Sequence, residues 1–178
     1  GLVSGVCFAE VGNTVTCVDK IPAKIEMLNN GDVPIYEPGL KEIMLRNVEA
    51  GRLSFTTDLS ASVPASDLVI IAVGTPPLPS GEADLQYIEA AAREIADSIN
   101  GYTVVAVKST VPVGTNERVN SIIGSLTDQP FDTASMPEFL REGSAVKDAF
   151  NPDRLVIGVE SQQAADLLLE LHKPLTEN

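Results

Sequence analysis

Two carboxylates four residues apart, Glu138 and Glu142, open the densest run of reactive side chains in the chain. The run reads Pro137-Glu138-Phe139-Leu140-Arg141-Glu142-Gly143-Ser144-Ala145 and continues through Lys147-Asp148 to Asn151-Pro152-Asp153-Arg154. In helical geometry residues four apart share a face. Like charges so placed repel, and burial of the pair raises one pKa. That is one route to a general base or a water-orienting group. Spacing alone favours the plainer alternative, a solvated acidic face with Arg141 and Lys147 as counter-charges. A second reactive position is Asp19, which ends the β-branched run Thr14-Val15-Thr16-Cys17-Val18. In a dinucleotide-binding unit an acid at the carboxyl end of such a strand hydrogen-bonds the adenosine ribose. Two hydroxyls complete the set. Thr75 and Thr110 each follow an apolar run, within Gly74-Thr75-Pro76-Pro77 and Lys108-Ser109-Thr110.

Elements that position these groups alternate along the chain. Residues 2–11 are apolar on most of a helical surface, with Gly12 and Asn13 as the turn into the strand that ends at Asp19. Helices are expected over 21–29 and 39–49, a short strand over 53–56 and a helical turn over 58–63. The run 67–73, DLVIIAV, has the pattern of a parallel strand buried on both faces. An amphipathic helix over 85–99 follows, then a strand at 102–107, a helix at 115–123 and a strand at 131–135. The chain continues with a polar loop or short helix over 137–147, a strand at 155–159 and a helix at 162–172. Strand and helix alternation implies an α/β fold of the Rossmann type, a doubly wound and mostly parallel sheet. Ligands of such sheets bind outside the carboxyl ends of the strands. Asp19 and the polar segments after Val73, Val107 and Ser135 all fall at that edge.

Composition narrows the class. The net charge is −13, from 12 basic and 25 acidic residues, with no basic run. That argues against nucleic acid and against an anionic membrane surface as partners. No apolar run approaches membrane-spanning length. Cys7 and Cys17 fall on a core helix and strand without metal-ligand spacing. They are expected to be buried reduced thiols, which suits the cytoplasm. The lone His172 is expected on a helix surface, and no metal is expected.

The segments GLVSGVCFAEVG, VTCVD, IYEPGL, VEAGRLSFTTD, VIIAVGTPP, VKSTVPVGT, PEFLREGSAVKD and NPDRLVIGV occur in one order along almost the whole chain. In that order the sequence resembles the amino-terminal, NAD-binding part of the nucleotide-sugar dehydrogenases, and two of the segments, VEAGRLSFTTD and REGSAVKD, point to the branch that acts on UDP-glucose. The resemblance implies oxidation of UDP-glucose to UDP-glucuronate by two successive hydride transfers to NAD, through a thioester on a cysteine in the carboxyl-terminal half. It implies that Gly1, Asp19, Lys24, Thr75, Thr110 and Glu142 contact NAD. Glu138, Phe139, Leu140, Arg141 and Glu142 would border the UDP-sugar. Thr110, Glu138 and Glu142 would serve the chemistry, Glu138 and Thr110 by holding water. A homo-oligomer is implied as well. For Lys24 the plainer alternative is a solvated helix lysine, and for Thr75 and Thr110 a helix cap. Met136 departs from the family, which has Asn before Pro-Glu-Phe. Two other functions stay open: a dehydrogenase of GDP-mannose or UDP-N-acetylmannosamine, and a non-catalytic NAD sensor.

Gly1 is expected to be the last glycine of a G-x-G-x-x-G fingerprint. The expectation is a fragment, residues 1–178 of one NAD-binding domain, whose sheet lacks its first strand between those ending at Asp19 and Val73. Such a piece alone is expected to fold poorly, to bind NAD weakly and to be inactive. Neither Cys7 nor Cys17 stands where the family's nucleophile would.

Overall fold

The computed structural model describes residues 1–176. In chain order the elements are α1 (Leu2–Glu10), β1 (Val15–Val18), α2 (Pro22–Asn29), α3 (Leu40–Glu49), β2 (Leu53–Thr56) and α4 (Leu59–Ser62). A 3-10 turn over Val63–Ala65 leads to β3 (Leu68–Ile71), α5 (Gln86–Ala96), β4 (Thr103–Val107), α6 (Thr115–Gly124) and β5 (Phe131–Ser135). Last come α7 (Ala145–Phe150), β6 (Gly158–Val159) and α8 (Gln162–Thr176). This is the α/β alternation read from the sequence, and the chain divides into two compact units.

The first unit takes Gly1–Asp58, Phe139–Arg154 and the chain from Leu169 onward. Its sheet is the parallel pair β1–β2, in register from Val15 opposite Leu53 to Val18 opposite Thr56. Its core joins Val3, Val6, Cys7 and Ala9 of α1 to Leu40 and Met44 of α3, Leu53 and Phe55 of β2, and Ala145 and Val146 of α7. α1 lies close on β1 because position 5 is glycine. A Cβ there would stand 2.6 Å from Cys17 Sγ and 3.6 Å from Val15 Cγ1. His172 belongs to this interior and not to the surface expected of it. It is buried, and its ring meets Phe8 edge-on at 5.3 Å between centroids. A single histidine on an amphipathic helix gives no sign of which face it takes; here an aromatic partner 164 positions away decides it.

The second unit takes Leu59–Glu138 and Leu155–Leu168. Its sheet has the order β3-β4-β5-β6. β4 is parallel to both β3 and β5 and is buried at all five positions. β6 is two residues long and antiparallel to β5, against the five-residue strand expected at 155–159. Leu155 and Val156 stay exposed, so the apolar run there does not mark a core strand. β3 covers 68–71, and residues 72 and 73 already belong to the following loop. Among the described residues β1 is laddered to β2, and β3 to β4, with no ladder joining the two sheets.

Candidate cofactor and substrate site

In the first unit the site begins where β1 ends. Asp19 is half-buried, and its carboxylate accepts the Ile21 N–H at 2.9 Å and the Lys24 ammonium at 3.1 Å. The Ile21 bond starts α2, whose first residue is Pro22 at N1. Lys24 is exposed, and on that surface it pairs with the acid. A carboxylate has about four lone-pair sites. The two protein donors leave Asp19 able to accept a pair of hydroxyls, so the residues present fit a ribose diol. Gly1 is the N-cap residue of α1, and its carbonyl accepts the Gly5 N–H at 3.0 Å.

The reactive run falls largely in the same unit, and it is not helical where the carboxylates stand. Residues 136–141 have no regular structure, 142–144 form a turn, and α7 starts only at Ala145. Glu138 and Glu142 therefore do not share a helical face, which corrects the geometry expected from their spacing. The physical reason is a set of competing bonds. Arg141 gives its backbone N–H and its Nε to Asp148 Oδ2 at 3.0 Å each, and its Nη2 to Oδ1 at 2.7 Å. These bonds hold the Asp148 carboxyl well below the usual carboxylate range. Glu37 accepts the Gly143 and Ala145 N–H groups at 2.7 and 3.1 Å. Phe139, Arg141 and Glu142 are exposed and Leu140 half-buried. The Arg154 guanidinium lies 5.2 Å from the Phe139 ring centre, a cation–π contact.

In the second unit three strand ends supply the side chains. Thr75 Oγ1 donates to the Thr110 carbonyl at 2.8 Å, and Ser109 Oγ donates to the Val73 carbonyl at 2.7 Å. These bonds stitch the loop after β3 to the loop after β4. Neither threonine caps a helix, since α5 and α6 begin at other residues without side-chain caps. Met136 gives its N–H to the Val107 carbonyl at 2.9 Å, extending the β4–β5 ladder, and its side chain is buried. Glu138 follows two residues later and is exposed. The sequence reading passed over Lys108, which is buried at the end of β4. Burial pushes its ammonium pKa down, and the Glu138 carboxylate pulls it back up. The available signal was a lysine directly after a fully apolar run.

Both cysteines are poor nucleophiles. Burial, helped by the Glu10 charge, pushes the Cys7 thiol up to about 12. Burial pushes Cys17 up to about 11. Among the described residues no cluster of three or more His, Cys, Asp or Glu could hold a metal ion. No described helix is long and apolar enough to cross a membrane.

Parallel strands alternating with helices, with polar side chains just past the strands' carboxyl ends in each unit, define an α/β fold of the Rossmann type. Comparison with known proteins narrows this. The chain belongs to the UDP-glucose/GDP-mannose dehydrogenase family, whose NAD binding domain matches residues 1–176. It is 53% identical over 176 residues to UDP-glucose 6-dehydrogenase TuaD of Bacillus subtilis (strain 168), covering 98% of this chain and 38% of that protein. A UDP-glucose dehydrogenase from the archaeon Pyrobaculum islandicum superposes with a TM-score of 0.95 at 46% identity, over 98% of this chain and 42% of that one. A ternary complex of GDP-mannose dehydrogenase from Pseudomonas aeruginosa gives 0.95 at 38% identity, over 99% and 42%. The chain thus spans about two fifths of the length of the relatives it matches.

Proposed function

We propose that this domain serves, within a longer protein, the NAD-dependent oxidation of UDP-glucose to UDP-glucuronate. The observation that carries the reading is Asp19. It is a carboxylate held by Ile21 and Lys24 at the end of a parallel strand, with lone pairs left for a ribose diol. A 2′-phosphate there would meet like charge, which favours NAD over its phosphorylated form. Identity to UDP-glucose 6-dehydrogenases, at 53% for the Bacillus subtilis protein, supports the choice of sugar.

NAD, when bound, would supply the hydride acceptor, and this chain's residues would bind and orient it. Gly1 opens the helix whose amino end suits a pyrophosphate. Asp19 and Lys24 hold the adenosine end. Thr75 and Ser109 tie the loop after β3 to the loop after β4 that carries Thr110. Thr110 and Glu138 hold water at the reacting carbon, with Lys108 beside Glu138 as a fixed positive charge. Phe139, Leu140, Arg141 and Glu142 border the UDP-sugar, and Glu142 also approaches the nicotinamide. A thioester needs a thiolate near neutral pH. Cys7 and Cys17 stay protonated there, so the nucleophile belongs to another part of the protein. We place the protein in the cytoplasm, as a homo-oligomer.

The test is NADH formation by the full-length protein carrying this domain, with UDP-glucose, GDP-mannose and UDP-N-acetylmannosamine compared. Two NADH per UDP-glucose, with little from the others, is expected. Turnover of GDP-mannose instead would move the reading to the other named branch of the family. NAD binding without turnover of any sugar would leave a sensor.

A further inference from the structure

Glu37 is a buried acid that none of the roles above uses. Its exposure is 8%, and it lies in the turn-rich segment between α2 and α3. Its own carbonyl accepts the Leu40 N–H at 3.1 Å, at the start of α3, and Leu40 and Met44 of that helix are fully buried. The Glu37 backbone is thereby tied to the core of the first unit. Its side chain reaches 106 residues along the chain. Oε1 accepts the Gly143 N–H at 2.7 Å and Oε2 accepts the Ala145 N–H at 3.1 Å. Gly143 has φ of +80°, which turns the two N–H groups toward one carboxylate.

The run that these bonds hold has no regular structure of its own from 139 to 144. Asp148 holds it from the other side, through the Arg141 backbone, the Arg141 guanidinium and the Ser144 hydroxyl. Glu142 therefore stands between two tethered residues, Arg141 and Gly143, although its own side chain is exposed. A side chain that packs against nothing takes its position from its backbone. Binding groups must be held to within about 0.5 Å to work. Charge-assisted bonds from a buried carboxylate are among the stronger ways to do that.

We propose that Glu37 is a positioning residue for nucleotide-sugar recognition: by fixing the Gly143 and Ala145 amides it sets the 139–144 backbone that faces the sugar. It touches neither sugar nor NAD itself. The inference rests on the reading of residues 139–142 as the sugar border. The informative variant is Glu37→Gln, which keeps the shape but turns one acceptor into an NH2 group facing an N–H donor.

The test uses the full-length protein carrying this domain, wild type and Glu37→Gln, with Glu37→Ala as the harsher change. Steady-state rates are measured with UDP-glucose and NAD varied in turn, and backbone hydrogen exchange is followed without ligands. In the Gln variant the KM for UDP-glucose should rise about tenfold, the size expected for one charge-assisted bond, and that for NAD clearly less, by about threefold at most, since Glu142 alone of the run reaches the cofactor. Exchange should quicken in the peptide spanning 141–145 and not across α1, α3 or β2. An unchanged UDP-glucose KM in a folded Gln variant would overturn the proposal, as would equal rises in both KM values. Faster exchange throughout the first unit would also overturn it, because Glu37 would then be a general structural support. A wild type that oxidises GDP-mannose in place of UDP-glucose refutes the substrate reading, and the same KM comparison with that sugar still decides the role of Glu37. A wild type inactive on every nucleotide sugar refutes both.

Discussion

Gly5→Ala is the smallest change that should disturb the first unit at the contact spacing α1 from β1. The added Cβ would stand 2.6 Å from Cys17 Sγ. Non-bonded heavy atoms rest about 3.5–4 Å apart, so helix and strand must separate by about 1 Å or the thiol must turn away. Val15 Cγ1, 3.6 Å off, is in ordinary contact and adds no clash. Overpacking of this kind costs about 1–3 kcal/mol, and exchanging a helical glycine for alanine returns about 0.8–1 kcal/mol. At 2.6 Å the clash belongs in the upper part of that range, about 2–3 kcal/mol, so the net expectation is a loss of about 1–2 kcal/mol. Cys17→Ala removes the sulfur and leaves a small void, at a cost of about 1 kcal/mol. In the double variant the clash is gone, the new methyl enters the space the sulfur left, and the helix gain remains. It should therefore be at least as stable as Cys17→Ala alone, giving a coupling of about 2–3 kcal/mol. The assay is urea unfolding of wild type, both single variants and the double, followed by circular dichroism, with NAD affinity measured beside it. NAD affinity should fall in Gly5→Ala and recover in the double, because Gly1 and Asp19 sit on the two elements this contact spaces. A double variant whose loss equals the sum of the single losses would refute the reasoning, as would a Gly5→Ala protein as stable as wild type.

Two further outcomes follow from the titrating groups. The Asp148 carboxyl is held below the usual range chiefly by the Arg141 guanidinium and then by the Arg141 backbone N–H. A depressed folded pKa gives stability that is fully present above the unfolded value of about 3.9 and is lost as pH falls toward the folded one. The stability difference between wild type and Asp148→Asn should therefore be flat near neutral pH and shrink in acid; a difference that grows on acidification would contradict the bond pattern. For the cysteines, a thiol pushed up to about 11 is thiolate in only about one molecule in a thousand at pH 8. Iodoacetamide at that pH should label Cys7 and Cys17 far more slowly in the folded protein than in urea, and equal rates would show that burial does not protect them.

Local chemistry made much of this fold readable, and distant partners account for the rest. The strand Leu53–Thr56 and the strand Phe131–Ser135 lie where composition put them, because β-branched and aromatic residues there are bounded by turn residues on both sides. The β-branched run likewise put Asp19 just past the end of a strand, and it follows β1 directly. Apolarity alone misled at 155–159. Leu155 and Val156 look like strand core, yet a ladder needs a neighbouring edge, and on the side away from β4 the described partners of β5 are Gly158 and Val159. Spacing misled at Glu138 and Glu142 for a different reason. A four-residue interval implies a shared face only if the backbone between is helical. That backbone is instead claimed by Glu37 and Asp148, whose carboxylates satisfy the amides of residues 141, 143 and 145. One of those acids is 106 residues away from its amide and gives no periodic signal. The candidate site therefore divides cleanly. Residues fixed by their own strand, such as Asp19 and Thr110, could be placed by pattern. Those on the 139–144 run are placed by carboxylates outside it, and only the folded structure shows which ones.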